Sequence, residues 1–265
     1  MIDPIRIRAS SMWGLLDCPL RWAKQNLQGM TLPSTPPAAI GTAVHASTAA
    51  YDRSRLEGQG LTVDETAGIA VDSIMLPDEE VDWAGAKKDK AVATAISTHV
   101  AYCTKIAPTQ NYTQIEHTLK SLKIDMGEGV VFELTGTLDR IRTDGAGNQG
   151  VGDVKTGIRA VSHDGTVAVG KHLPQLGEYE LLAEQEFGPM TLPPVIIGLS
   201  TGGTGRAGIA EIYGAREALV GTETEPGLLV YVAQYFKSGL FPPNPGSFLC
   251  SEKYCPHHKQ CIYHG

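Results

Sequence analysis

Asp139, Asp153 and Lys155 are the residues of this chain whose types and spacing best suit chemistry on a phosphodiester. Asp139 lies late in the apolar run Leu134-Thr-Gly-Thr-Leu-Asp-Arg-Ile141, and Asp153 lies early in Val151-Gly-Asp-Val-Lys-Thr-Gly157. The Gly-rich residues 144–150 between them read as a hairpin connection joining two strands. Alternate residues of a strand share a face, so Asp153 and Lys155 project to one side while Val154 points into the core. Carboxylate oxygens suit a hard cation such as Mg²⁺ or Mn²⁺. A lysine beside them can hold a nucleophilic water or offset charge on a phosphate in the transition state. An isolated D-x-K triplet is also what an ordinary solvated hairpin carries, so the rest of the chain has to decide.

Other residue types are consistent with a site. His45 follows Gly41 by four residues on a helix of small and apolar residues, where a histidine is ordinarily a hydrogen-bonded core residue; its functional role there would be a third metal ligand. Glu116 sits in an alternating run and either faces the site or is a solvated strand carboxylate. Gln175 and Tyr179 fall one turn apart on a helix face, a spacing that suits a phosphate or base edge as well as a core-edge pair. Of the five cysteines, Cys250, Cys255 and Cys261 stand as C-x4-C-x5-C near the end of the sequence. An odd count in a chain without an export signal disfavours a disulfide framework, and metal ligation explains the triplet. Cys18, just before Pro19 at a helix start, is the candidate fourth ligand, while Cys103 has no neighbouring ligand and reads as core.

The elements that must position these residues can be outlined from pattern. Ser10 and Ser11 read as hydroxyl caps of a first helix, and Pro19 opens a second. A buried helix is expected over residues 40–52, one capped by Thr62 running to Met75, and a long one over residues 86–106. Residues 112–124 alternate as one strand, followed by a turn at residues 127–129 and a strand from Val130. Beyond Lys155 come a helix over residues 173–185, two strands around a Gly-rich turn at residues 195–199 and 208–213, and a helix over residues 215–237 broken around Pro226. That order is α/β.

Composition narrows the function class. The chain has 265 residues, 42% of them hydrophobic and 19% charged, enough for a large core in an ordinary globular protein. No apolar run approaches the roughly 20 residues that span a bilayer, and the first residues lack the apolar segment of a signal peptide, so a cytoplasmic protein without membrane contact is expected. A net charge of −7 excludes a broad basic coat for nucleic acid, and any DNA contact must be local. Local candidates are the clusters at Lys87, Lys88 and Lys90, at Lys120 and Lys123, and at Arg140, Arg142, Arg159 and Lys171. No Walker motif is present to drive unwinding, which makes single-stranded DNA the economical substrate.

Taken in order, several motifs form a recognisable set: Asp-Cys-Pro-Leu-Arg-Trp22, Gly-x-x-x-His45, Glu116, Gly-Thr-Leu-Asp139, Gly-Asp-Val-Lys-Thr-Gly157, Gln-x-x-x-Tyr179 and Phe-Pro-Pro-Asn-Pro245 before the cysteines. With these the chain resembles the PD-(D/E)XK nuclease superfamily, most closely its RecB-like, CRISPR-associated and phage exonuclease branch. The resemblance runs from Cys18 to Cys261. It implies an α/β, restriction-endonuclease-like core with a mixed central sheet flanked by helices. It also implies a single nuclease domain over residues 1–265: a mostly helical region to 110 with Cys18 and His45, a catalytic core over 111–213, and a helix with the cysteine cluster over 214–265.

By the same resemblance His45, Asp139, Asp153 and the main-chain carbonyl of Val154 would bind Mg²⁺ or Mn²⁺, and Lys155 would activate or orient water. Gln175 and Tyr179 would line the DNA path. Cys18, Cys250, Cys255 and Cys261 would hold a 4Fe-4S cluster that staples the two terminal segments. The implied activity is a metal-dependent DNA exonuclease on single strands or DNA ends, in recombination, repair, phage DNA processing or CRISPR adaptation, with recombination or CRISPR-adaptation proteins as partners and an oligomer as one arrangement. Leu138 stands where the pattern has proline, and Asp153 where glutamate is commoner. His257, His258 and His264 near the triplet leave zinc with mixed ligands as the alternative occupant. Two other functions remain: a DNA-end-binding, nuclease-like subunit with partner-dependent cleavage, and a zinc-stapled α/β protein that is no nuclease.

Overall fold

A computed structural model describes residues 3–202 and 205–264. Strand β1 (Ile5–Arg8) leads directly into α1 (Ala9–Asp17) and α2 (Pro19–Asn26), with Cys18 at the joint. Pro19 occupies the first turn of α2, where its missing N–H costs nothing. The expected serine cap of α1 does not form, because the helix starts earlier: Arg8 is the N-cap, and Ser11 Oγ donates back to the Arg8 carbonyl.

Helix α3 (Pro36–Glu57) begins at Thr35, whose side chain accepts from Ala38 N–H. Its small residues Ala39, Ala43, Ser47 and Ala49 are buried, which lets the backbone approach the sheet closely. Even a Cβ at Gly41 would come within 3.0 Å of Thr156 Oγ1. Helix α4 (Val63–Met75) starts with a reciprocal capping box between Thr62 and Glu65, as the sequence leads one to expect, and α5 (Lys88–Lys105) completes the layer.

Two sheets follow. Strands β2 (Asn111–Thr118), β5 (Thr137–Thr143), β6 (Gln149–Gly157), β7 (Val195–Ser200) and β8 (Ala207–Glu211) form one sheet in that spatial order. The β6–β7 pair is parallel and the others are antiparallel, so this sheet is mixed. Helix α6 (Leu173–Phe187) is the crossover that a parallel pair requires. A second sheet has the order β1, β4 (Val131–Thr135), β3 (Leu122–Asp125).

Two expectations change here. Residues 112–124 are two strands in different sheets, and the run from Leu134 to Ile141 is split at Gly136. The split has a steric cause: a Cβ at Gly136 would lie 2.7 Å from Tyr179 Cε1, so the chain passes under that ring only as glycine. Asp139 is consequently third in its strand instead of near the end of a longer one.

Apolar side chains cover both faces of the larger sheet. Val151 joins a core with Met12, Leu138, Ile141 and Leu176, whereas Val154 joins the other core with Val44, Tyr102, Ile197 and Leu199. This alternation fixes the register of β6. A one-residue slip would exchange Val154 with its charged neighbours, at about 1.5–3 kcal/mol for each large apolar side chain moved to water.

Helices α7 (Ala215–Val220) and α8 (Leu228–Ser238) close the fold where one broken helix was expected. The terminal segments meet at Asp17. Asn244 Nδ2 donates to its carbonyl at 2.8 Å, Ser247 Oγ donates to its carboxylate at 2.6 Å, and Leu20 N–H donates to the Pro242 carbonyl at 3.2 Å. No helix among the described residues is long and apolar enough to cross a membrane.

Candidate active site

The site forms where two paired strands come apart. The ladder between β5 and β6 runs from Thr143–Gln149 to Arg140–Gly152 and then stops, so Asp139 and Asp153 are the next residues on each side of a fork. An unpaired buried N–H is costly, and here a side chain satisfies it: Val154 N–H donates to Asp139 Oδ2 at 2.6 Å. That bond fixes the carboxylate in the fork. His45 arrives from α3 with Nδ1 3.5 Å from Asp139 Oδ1. Glu116 arrives from β2, between the pairs Ile115–Arg140 and His117–Leu138 and therefore across from Asp139. Ligand atoms of His45, Glu116 and Asp139 all lie within 4.8 Å of one another, the single such group among the described residues.

Asp153 is 1% exposed and faces Lys155, whose Nζ lies 2.7 Å from Oδ2 and 3.0 Å from Oδ1. Its Oδ2 makes no hydrogen bond of normal geometry, leaving a buried oxygen with spare capacity as a ligand. Gln175 Nε2 reaches Asp153 Oδ1 at 3.3 Å and Tyr179 OH at 3.2 Å, and Tyr179 OH donates to the Thr137 carbonyl at 2.8 Å. Both residues line the cleft, as the sequence reading has it, but their polar atoms are turned toward Asp153 and the end of β5.

Behind the ligands lies a buried ion pair that sequence reasoning missed. Arg140, expected as a DNA contact, is fully buried. Its Nε donates to Asp52 Oδ2 at 2.7 Å, and its Nη1 donates to the Asp139 carbonyl at 2.8 Å and to Glu116 Oε1 at 3.4 Å. Tyr102 OH donates to the same Asp52 carboxylate. Glu116 has φ +49°, a left-handed conformation that costs a non-glycine residue about 1–3 kcal/mol. The Arg140 contact holds it there.

Electrostatics make this fork a place for positive charge. Burial alone would push the Asp139 carboxyl up, but His45, Lys155 and Arg140 outweigh it and hold that carboxyl well below the usual range. Burial pulls the His45 imidazole down, and the facing Asp139 more than reverses this. Burial pushes Asp153 up to about 6 against the pull of Lys155, and burial together with Asp139 raises Glu116. Three carboxylates thus converge with too little cationic charge among them. One imidazole and several carboxylate oxygens are a donor set that fits Mg²⁺ or Mn²⁺.

Cys18, Cys250, Cys255 and Cys261 line a separate pocket between α2 and the C-terminal segment, beside His257 and His258. Cys103 is buried in the helical layer, and burial pushes its thiol up to about 12, so it stays a thiol.

A sequence-family model described as the PD-(D/E)XK nuclease superfamily matches residues 7–262. No curated protein matches the chain in sequence. The crystal structure of a "Putative exonuclease" from Eubacterium rectale superposes with a TM-score of 0.54 at 13% identity, over 91% of this chain and 84% of that one. The crystal structure of SSO0001 gives a TM-score of 0.46 at 14% identity, over 99% of this chain and 88% of that one. At such identities the Eubacterium rectale likeness establishes fold alone.

Proposed function

Because this chain belongs to the PD-(D/E)XK nuclease superfamily, matched over residues 7–262, we propose that it is a Mg²⁺- or Mn²⁺-dependent deoxyribonuclease, an exonuclease on single-stranded DNA or DNA ends. The observation that carries this reading is the fork at Asp139 and Asp153, where His45 and Glu116 converge on Asp139 and the Asp153–Lys155 pair lines the same cleft as His45. His45, Glu116, Asp139 and Asp153, with the Val154 carbonyl, would hold the cation. When bound, a divalent cation supplies Lewis acidity toward a phosphate oxygen and makes water a better nucleophile.

The protein's own groups do the rest. Lys155 holds the attacking water and offsets phosphate charge, and Gln175 keeps Asp153 in place for that pairing. Glu116 joins the ligand set in this reading, a role beyond the substrate contact expected from sequence. The exonuclease description carried by the Eubacterium rectale neighbour supports the end-directed form. Recombination, repair, phage DNA processing and CRISPR adaptation all use this chemistry, and genomic neighbours separate them.

Cys18, Cys250, Cys255 and Cys261 line one pocket, and a set of four thiols suits an iron–sulfur cluster. We assign Cys18, Cys250, Cys255 and Cys261 as ligands of a 4Fe-4S cluster, and iron and sulfide analysis distinguishes it from zinc.

The test of activity uses protein purified without oxygen, end-labelled linear and circular single-stranded DNA, added Mn²⁺, and Lys155→Ala as control. Mn²⁺-dependent degradation of linear DNA, at least about 100-fold slower in the folded variant, is the expected result. Absence of cleavage in protein with a verified cluster would turn the assignment to a DNA-end-binding subunit.

A further inference from the structure

His45 stands at the junction of two clefts. One is lined by Arg8, Ser10 and Thr137 together with Asp139, Asp153 and Lys155. The other is lined by Gly41, Thr42, Ala46, Ala49 and Arg53 of α3 together with Glu116. Each cleft therefore carries one arginine. Arg8 is fixed at the joint of β1 and α1, where its backbone pairs with Thr135 and caps the helix. Arg53 lies eight residues after His45 on the same helix face, about 12 Å along the axis at 1.5 Å per residue.

These two guanidiniums differ from most others in the protein. Arg6, Arg21, Arg55, Arg140, Arg142 and Arg216 are held by carboxylates, whereas Arg8 and Arg53 are exposed and have no hydrogen bond or ion pair among the described residues. Charge explains why cations are wanted there. Glu116, Asp139 and Asp153 repel a polyanion, and a cation seated among them neutralises the phosphate it touches but leaves the flanking phosphates unbalanced. A net charge of −7 supplies no general attraction. A planar guanidinium in a cleft lined with hydroxyl groups matches a phosphodiester well.

We propose that a single DNA strand lies across His45 from one cleft into the other, with Arg8 and Arg53 each holding a backbone phosphate on opposite sides of the scissile bond. This rests on the nuclease reading and adds the path of the substrate. The linings offer guanidinium, hydroxyl and small apolar groups, with Tyr179 as their single aromatic side chain and its OH already engaged. Contacts are then to the backbone, and binding is indifferent to sequence.

The test is equilibrium binding of fluorescent single-stranded oligonucleotides to the full-length Lys155→Ala protein with Mn²⁺, alone and with Arg8→Ala or Arg53→Ala added. Each substitution should weaken binding several-fold and make the slope of log K against log salt shallower by about 0.7, the value for one phosphate contact on a single strand. Oligonucleotides extended on the 5′ or 3′ side alone should show each variant losing the benefit of one flank, the two variants losing opposite flanks. Arg8→Lys and Arg53→Lys should restore the salt slope, which separates lost charge from a damaged fold. Unchanged slopes in variants that bind DNA, or loss of the same flank in both, would overturn the path. Equal arginine dependence for blunt duplex would overturn its single-stranded character. If arginine-dependent binding holds while Lys155-bearing protein never cleaves, the clamp stands and the nuclease reading falls.

Discussion

Asp52, Arg140, Asp139 and Asp153, buried at the fork, each have a charged partner, and Glu178 is the exception. It sits on α6 beside Tyr179, fully buried, with neither carboxyl oxygen in a hydrogen bond of normal geometry. Burial pushes its pKa well above the ordinary 4.5, and the Thr135 main chain offsets only part of this. The native protein therefore keeps a proton that the unfolded chain releases. Its contribution to stability is complete below the ordinary carboxyl range and is lost as pH rises toward the folded-state value. Glu178→Gln has no proton to lose, so it should raise stability at pH 8 relative to the parent protein and flatten the pH dependence. Denaturant midpoints at several pH values check this, and a steeper dependence in the variant would refute it. At this scale much was legible in sequence: alternation alone put Asp153 and Lys155 on one face, and one helical turn joined Gln175 to Tyr179. The role of Glu116 was not, since it depends on a left-handed φ that no periodicity announces.

Elements meet at the site through the Asp52–Arg140 pair, which joins α3 to β5 across 88 residues of sequence. Such a contact leaves no local pattern, so Arg140 looked like a surface cation. The same holds for the break at Gly136, set by a ring that arrives 43 positions later in the chain. Both side chains of the pair are fully buried. Arg140→Met should therefore destabilise the protein by about 3–5 kcal/mol, because it strands the Asp52 charge, whereas Asp52→Leu with Arg140→Met should recover most of that loss. Chemical denaturation of the single and double variants measures both. A double variant as unstable as the single one would mean that the pair does more for the fold than balance charge. The Thr62 cap and hydrophobic spacing, by contrast, made α4 readable to the residue.

Across the whole molecule, the first and last segments are hydrogen-bonded at Asp17 and both line the cysteine pocket, while the fork lies between the two cores. The ordered motifs pointed to the nuclease superfamily and its mixed α/β core before any contact was known, but not to the hydrogen bonds that join the terminal segments at Asp17. Cys255→Ala should lose bound iron and lower the unfolding temperature, since cluster binding contributes to folding. Full iron content and unchanged stability would remove the staple. Everything else depends on whether the fork seats a cation. Calorimetric titration of Mn²⁺ into the intact protein and into Asp139→Asn decides this: binding should be saturable and weaken at least about 10-fold in the variant, and equal affinity in the two proteins would rule out a cation at the fork.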